Sequence, residues 1–154
     1  MPEHDHLAFY VEDLTVGQRF KSKGFDLSIE HIKEFATEYD PQPFHLDEDA
    51  ARNSLFGGLA SSGWHTAAIT MRLIVDSVPF AGGVIGAGGE ISWPRPTRPG
   101  DRLSVVSEVE SITPSRSKPD RGMVVLRSET RNQNDEVVQV LKARLVVPRR
   151  SAGG

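Results

Sequence analysis

The sequence predicts an α+β fold: one long buried helix set against an antiparallel sheet. Two observations predict it. From about Gly63 to Val78, apolar residues cover most of a helix's girth, the pattern of a helix inside a core. After Gly82, strand-like runs follow one another through short connections, which favours antiparallel pairing. The 154 residues, 38% hydrophobic and 25% charged, suit one globular domain. Its core is expected at about 14–147, with 148–154 a frayed tail.

Gly17 to Leu27 reads as a strand at the front. Ser28 is a good N-cap, with Glu30 in the first turn where the helix dipole favours an acid. Ile29, Ile32, Phe35, Ala36 and Tyr39 then recur at helical spacing, and Pro41 ends that helix at Asp40. Asp47 caps a short helix through Ala50 and Ala51, and Gly57 and Gly58 break the chain again. The long helix starts near Ser61 to Gly63. At 100° per residue His65, Arg72 and Asp76 form one narrow polar stripe. Trp64, Ala67, Ala68, Met71, Ile74 and Val75 cover much of the opposite side. Glycines 82, 83, 86, 88 and 89 suggest close backbone packing or a bulge. Glu90 to Trp93, Leu103 to Val109, Met123 to Arg131 and Val137 to Val147 read as strands, with a turn at Asn132 to Asp135.

Composition excludes several functions. A net charge of −3 does not suit a general nucleic-acid binder. The first 60 residues carry 5 basic and 12 acidic side chains, the remainder 13 and 9. That asymmetry could draw an anionic ligand to the back half, or reflect ordinary solvated surfaces. There is no cysteine, so disulfides, thiolate nucleophiles and cysteine-held metals are excluded. No apolar run approaches the roughly 18 residues that span a bilayer, and Met1 to Leu14 does not look like a signal peptide. A cytoplasmic protein without metal or redox cofactor is expected. Gly-x-Gly-x-x-Gly, Gly-Lys-Ser/Thr, Gly-x-Ser-x-Gly and His-Glu-x-x-His patterns are all missing.

The densest chemistry lies in Tyr39-Asp40-Pro41-Gln42-Pro43-Phe44-His45. Two prolines fix two φ angles and keep this loop out of helix. They hold an acid and a histidine at set separation, and both can trade protons near neutrality in a suitable environment. The same residues also read as a Pro-rich turn with His45 on the surface. The second candidate is Phe56-Gly57-Gly58-Leu59-Ala60-Ser61-Ser62-Gly63-Trp64. Small residues allow close backbone approach. The first N–H groups of a helix lack internal partners and can polarise a carbonyl oxygen. It also reads as a plain connection with Ser61 or Ser62 as N-cap.

These two stretches, in this order, resemble the MaoC-like dehydratases, the (R)-specific enoyl-CoA hydratase group with a hot-dog fold. That family's signature is Asp, a variable residue, Asn-Pro, a variable residue and His. Asp40, Pro43 and His45 match, and Gln42 stands where Asn is usual. The family's His-Gly pair at the central helix reads Ser62-Gly63 here. Trp93-Pro94-Arg95-Pro96 and Pro99-Gly100-Asp101 fit later parts of the pattern. The resemblance spans about Leu14 to Val147. It implies a hot-dog domain, usually dimeric, with active sites at the subunit interface. It implies that Asp40 and His45 flank a water added to or removed from a 2-enoyl thioester, with the Gly63 N–H holding the thioester oxygen. Coenzyme A is then part of the substrate. Gln42 re-aims the bond that orients the loop, and Ser62 removes a ring beside the oxyanion position.

Trp64 either shapes an acyl pocket or belongs to the core. Arg116, Lys118 and Arg121 in the loop Pro114 to Gly122 suit the phosphates of coenzyme A, or form a solvated hairpin tip. Arg95, Arg98 and Arg102 are a second such cluster. His65 is expected at the surface or a dimer interface, His31 on a helix surface, and His4 and His6 in a terminal tail. Thioester hydrolysis and non-catalytic acyl-CoA binding are the competing functions.

Overall fold

A computed structural model of the chain describes residues 8–150. His4, His6 and 151–154 lie outside the described residues. After a 3-10 turn at Val11–Asp13 come β1 (Arg19–Lys21), β2 (Phe25–Asp26), α1 (Ile29–Tyr39), α2 (Pro43–Leu46), α3 (Glu48–Arg52) and α4 (Gly63–Ser77). β3 (Ile85–Ser92), β4 (Arg102–Pro114), β5 (Arg121–Arg131) and β6 (Val137–Pro148) follow. The sheet order is β1-β4-β5-β6-β3, all antiparallel, with β2 also on β4.

The period-2 pattern in β4 and β5 gives the core its floor. Leu103, Val105, Val109, Val124 and Leu126 face inward and are at most 1% exposed. Ile69, Leu73 and Ile74 of α4 close the core from above, together with Ile32 and Leu27. The anticipated front strand is two short pieces, because the chain turns off β4 between Lys21 and Phe25. The anticipated bulge in the glycine stretch falls between Gly86 and Gly88. A Cβ at Gly89 would lie 2.4 Å from the Lys142 carbonyl oxygen, which explains the glycine there. No helix among the described residues is long and apolar enough to cross a membrane.

Three expectations are corrected. The faces of α4 are only partly as expected: Arg72 and Asp76 are exposed and pair at 3.2 Å, but His65 is 8% exposed, while Trp64, Met71 and Val75 are 60%, 42% and 55% exposed. Trp64 is therefore not a core residue. The buried face includes Thr66 and Thr70, whose hydroxyls pair with those of Thr97 and Thr130 at 3.0 and 2.6 Å. A satisfied hydroxyl is cheap to bury, so polarity alone did not reveal the inward face. The loop after Asp40 is not free of helix, since Pro43 opens the single turn α2 at a position where proline's missing N–H costs nothing. The segment from Pro148 is not frayed at its start. The N–H of Arg149 donates to the Asp120 carbonyl at 2.8 Å, and Arg150 bonds to Glu12 and Asp13.

Candidate active site

Three turns of chain bring the site together. α1 ends at Asp40, whose N–H donates to Ala36 O at 2.9 Å. α2 then lifts His45 to 4% exposure, between Phe44 and Phe56, whose ring centroids lie 4.5 and 6.0 Å from the imidazole. The glycine-rich stretch returns the chain to Ser62, the N-cap of α4, whose hydroxyl accepts from Trp64 N at 3.2 Å.

Ser62 also ties α4 to the acid. Its hydroxyl donates to Asp40 Oδ2 at 2.6 Å, and the Gln42 amide donates to Oδ1. His45 Nε2 lies 3.3 Å from Asp40 Oδ2. Partial burial works against the Asp40 charge. The hydrogen bonds from Ser62 and Gln42, with His45 alongside, outweigh it and hold the carboxyl below the usual carboxylate range. On the far side of the ring, His45 Nδ1 lies 2.6 Å from Ala60 O. A carbonyl oxygen only accepts, so Nδ1 carries the proton of this bond and Nε2 is the nitrogen that faces Asp40.

A cavity of about 330 Å³ opens beside this pair. Phe44, Phe56, Trp93, Pro94 and Pro96 make its apolar walls, and Gln42, His45, Ser61, Gly63, Thr66, Arg95 and Thr97 its polar ones. Gly63 is the first residue of α4, so its N–H has no partner within the helix. The helix dipole adds positive potential there. The arrangement can hold a small polar molecule at the acid–imidazole pair while an oxygen of a second molecule meets a helix N-terminus.

Among the sequence candidates, Asp40, Gln42, His45, Ser62 and Gly63 converge. Trp64 does not line this cavity, and packs edge-to-face on Trp93 at 5.3 Å. Arg116, Lys118 and Arg121 line a different cavity of about 450 Å³ at the β4–β5 hairpin. That hairpin adjoins the Ile85 end of β3, through Val146 and Met123. The main site adjoins the Ser92 end, seven residues and about 23 Å along the strand. Arg98 is structural: its guanidinium donates to the carbonyls of Phe56, Gly58 and Leu59 and so shapes the glycine-rich stretch. Arg102 pairs with Asp26, and Arg95 pairs with Glu136 at the cavity rim. His31 is exposed on α1, as expected. Sequence reasoning missed Phe44, Phe56 and Thr97 as walls and the Ala60 carbonyl as the His45 anchor. No local pattern marks a backbone carbonyl as an imidazole acceptor.

His65 stacks on Phe35 at 4.7 Å, and its Nδ1 is 2.8 Å from Ser61 Oγ. Burial pushes its pKa down from 6.5 to about 4. The unfolded chain therefore takes up this proton more readily than the folded one. The contribution of His65 is fully present above about pH 6.5 and is lost as pH falls toward 4. Denaturant unfolding should show about 2 kcal/mol of this loss between pH 7 and pH 5. The variant His65→Gln should lack that share. An identical pH dependence in wild type and variant would reject the assignment.

The helix-on-sheet architecture, with an Asp–His pair at the N-terminus of the buried helix, defines a class, and the comparisons identify it. The family model described as "MaoC like domain" matches residues 12–132, and the chain belongs to that family, with the hot-dog fold. The chain is 61% identical to a MaoC-like dehydratase from Rhodospirillum rubrum, covering 94% of this chain and 99% of that one, with a TM-score of 0.92. It is 25% identical to the R-hydratase PhaJ1 from Pseudomonas aeruginosa, covering 93% and 88%, with a TM-score of 0.76. It is 34% identical over 140 residues to the uncharacterized protein YdeM of Bacillus subtilis, covering 89% of this chain and 96% of that one.

Proposed function

We propose that this protein adds water to, or removes it from, the double bond of a 2-enoyl thioester of coenzyme A. The observation that carries the reading is the 3.3 Å contact between Asp40 and His45, with His45 and Gly63 both lining one cavity. In the hydration direction a water sits against Asp40 and His45 Nε2. As its oxygen bonds to the β-carbon, one of its protons passes to this pair. The π electrons move toward the α-carbon and the thioester oxygen, where the Gly63 N–H meets the developing charge. A proton from the pair then reaches the α-carbon, so one water is added in all. Membership of a dehydratase family and likeness to an R-hydratase support this chemistry.

The test is loss of conjugated-thioester absorbance with crotonyl-CoA and longer or branched enoyl-CoAs, with free thiol measured in parallel. Loss of the double bond without thiol is expected. Thiol release would replace the reading with hydrolysis, and silence across the panel would overturn it.

We further propose that the working form is a homodimer. Trp64, Met71 and Val75 leave an apolar stripe exposed on α4, and Ile85 is 53% exposed on β3, the sheet's last strand. A second copy covers both if the β3 edges pair antiparallel across a two-fold axis perpendicular to the strands. One protomer's hairpin then approaches the Trp93 end of its partner. Arg116, Lys118 and Arg121 would meet the phosphates of coenzyme A held at that partner's site. Sedimentation should give twice the monomer mass of 16.9 kDa. The variant Met71→Lys should shift it toward monomer, and a wild-type monomer would refute the proposal.

A further inference from the structure

Trp93 follows directly on β3, and its ring is laid against Gly63. A Cβ built at Gly63 would lie 2.8–3.0 Å from three indole carbons. Apolar contact alone does not set the angle of such a ring, but a hydrogen bond does. An indole N–H only donates. Trp93 Nε1 donates to Gln139 Oε1 at 2.9 Å. Gln139 stands on β6 and is 0% exposed. The other end of its amide, Nε2, donates to Thr70 Oγ1 of α4 at 3.0 Å. Thr70 Oγ1 lies 2.6 Å from Thr130 Oγ1 of β5. Either hydroxyl of this last pair can be the donor. A chain of hydrogen bonds thus runs from Trp93 through Gln139 on β6 to Thr70 on α4 and Thr130 on β5.

Such a chain is demanding to bury, since every member needs its partner, whereas an apolar side chain would fill the same space without that demand. No buried polar side-chain atom among the described residues is left unpartnered, so the demand is met in full. The amide has only one orientation that satisfies both neighbours: oxygen toward Trp93, nitrogen toward Thr70. We infer that Gln139 is a positioning residue for the Gly63 site, holding the Trp93 ring flat against Gly63 so that this wall of the cavity keeps its shape. Gln139 touches neither Asp40 nor His45 and acts through the indole. The inference rests on the reading of Gly63 as the oxygen-binding donor.

The test is a double-mutant cycle of Gln139→Met and Trp93→Phe. Phenylalanine keeps a ring beside Gly63 and removes the N–H. Gln139→Met should lower kcat/KM about tenfold, mainly through kcat, as expected for a shifted reacting geometry. In the Trp93→Phe background it should cause no further fall, while its effect on Tm persists. Independent, multiplying losses would overturn the inference, as would no loss. Thr70→Val, which unhooks the amide from α4, carries the same cycle if Gln139→Met does not fold. A second readout needs no substrate. Trp64→Phe leaves Trp93 as the single tryptophan of the two in the chain. Gln139→Met should then shift its emission and shorten its anisotropy decay. Unchanged fluorescence would overturn the inference even if the protein proved not to be a hydratase. A wild type inactive on every thioester would instead refute the functional reading, leaving the fluorescence result to decide whether Gln139 holds Trp93.

Discussion

Asp40→Asn or His45→Gln should lower kcat for enoyl-thioester hydration by at least about 10²-fold, the usual scale of general acid–base help. Both substitutions preserve shape. Asparagine at 40 can still accept from Ser62, and glutamine at 45 can still donate toward Ala60 O. What is lost is the capacity to take and return a proton at the point where Asp40 Oδ2 and His45 Nε2 meet, 3.3 Å apart. Because the two share one proton-holding task, the double variant should be little worse than the poorer single variant. The check is steady-state kinetics on all three proteins, with thermal unfolding to establish that each is folded. Undiminished turnover in either single variant would remove the pair from the reaction.

Gly63→Ala should lower kcat by about 10²–10³-fold, comparable with removing one oxyanion donor. The added methyl does not remove the N–H. It has no room, because its carbon would lie 2.8 Å from the Trp93 ring. Either the indole swings away or the first turn of α4 shifts, and each outcome moves the donor relative to the cavity. Gly63 is the first residue of α4, so the disturbance is confined to the helix start and the indole. Stability should therefore fall less than activity does. Kinetics and thermal unfolding measured side by side check this. Activity near wild type would mean that the Gly63 N–H is not where charge develops.

Much of this was legible in the chain because it is local. Ser28 and Asp47 cap their helices as their positions suggest, accepting from His31 N and Ala50 N. Pro41 follows the end of α1 at Tyr39. Strand alternation in β4 and β5 follows directly from the two-residue period of side-chain direction. Asp40, Gln42 and His45 share one loop whose prolines restrict its geometry, so their association could be read before any contact was known.

The tertiary structure decided what depends on partners far away in sequence. Asp40 meets Ser62 across 22 residues, His45 meets Ala60 across 15, and Trp93 meets Gln139 across 46. A hydrogen-bond partner that distant leaves no periodic trace. The same reason displaced His65 and three apolar residues from their expected faces of α4. Periodicity alone showed a helix from near Ser61–Gly63 to about Val78 with apolar residues on several of its faces. Only packing determined that Thr66, Thr70 and His65 face inward while Trp64, Met71 and Val75 face outward. A buried polar group is tolerated once a partner satisfies it, and the partners of these three, Thr97, Thr130 and Ser61, were supplied by the fold.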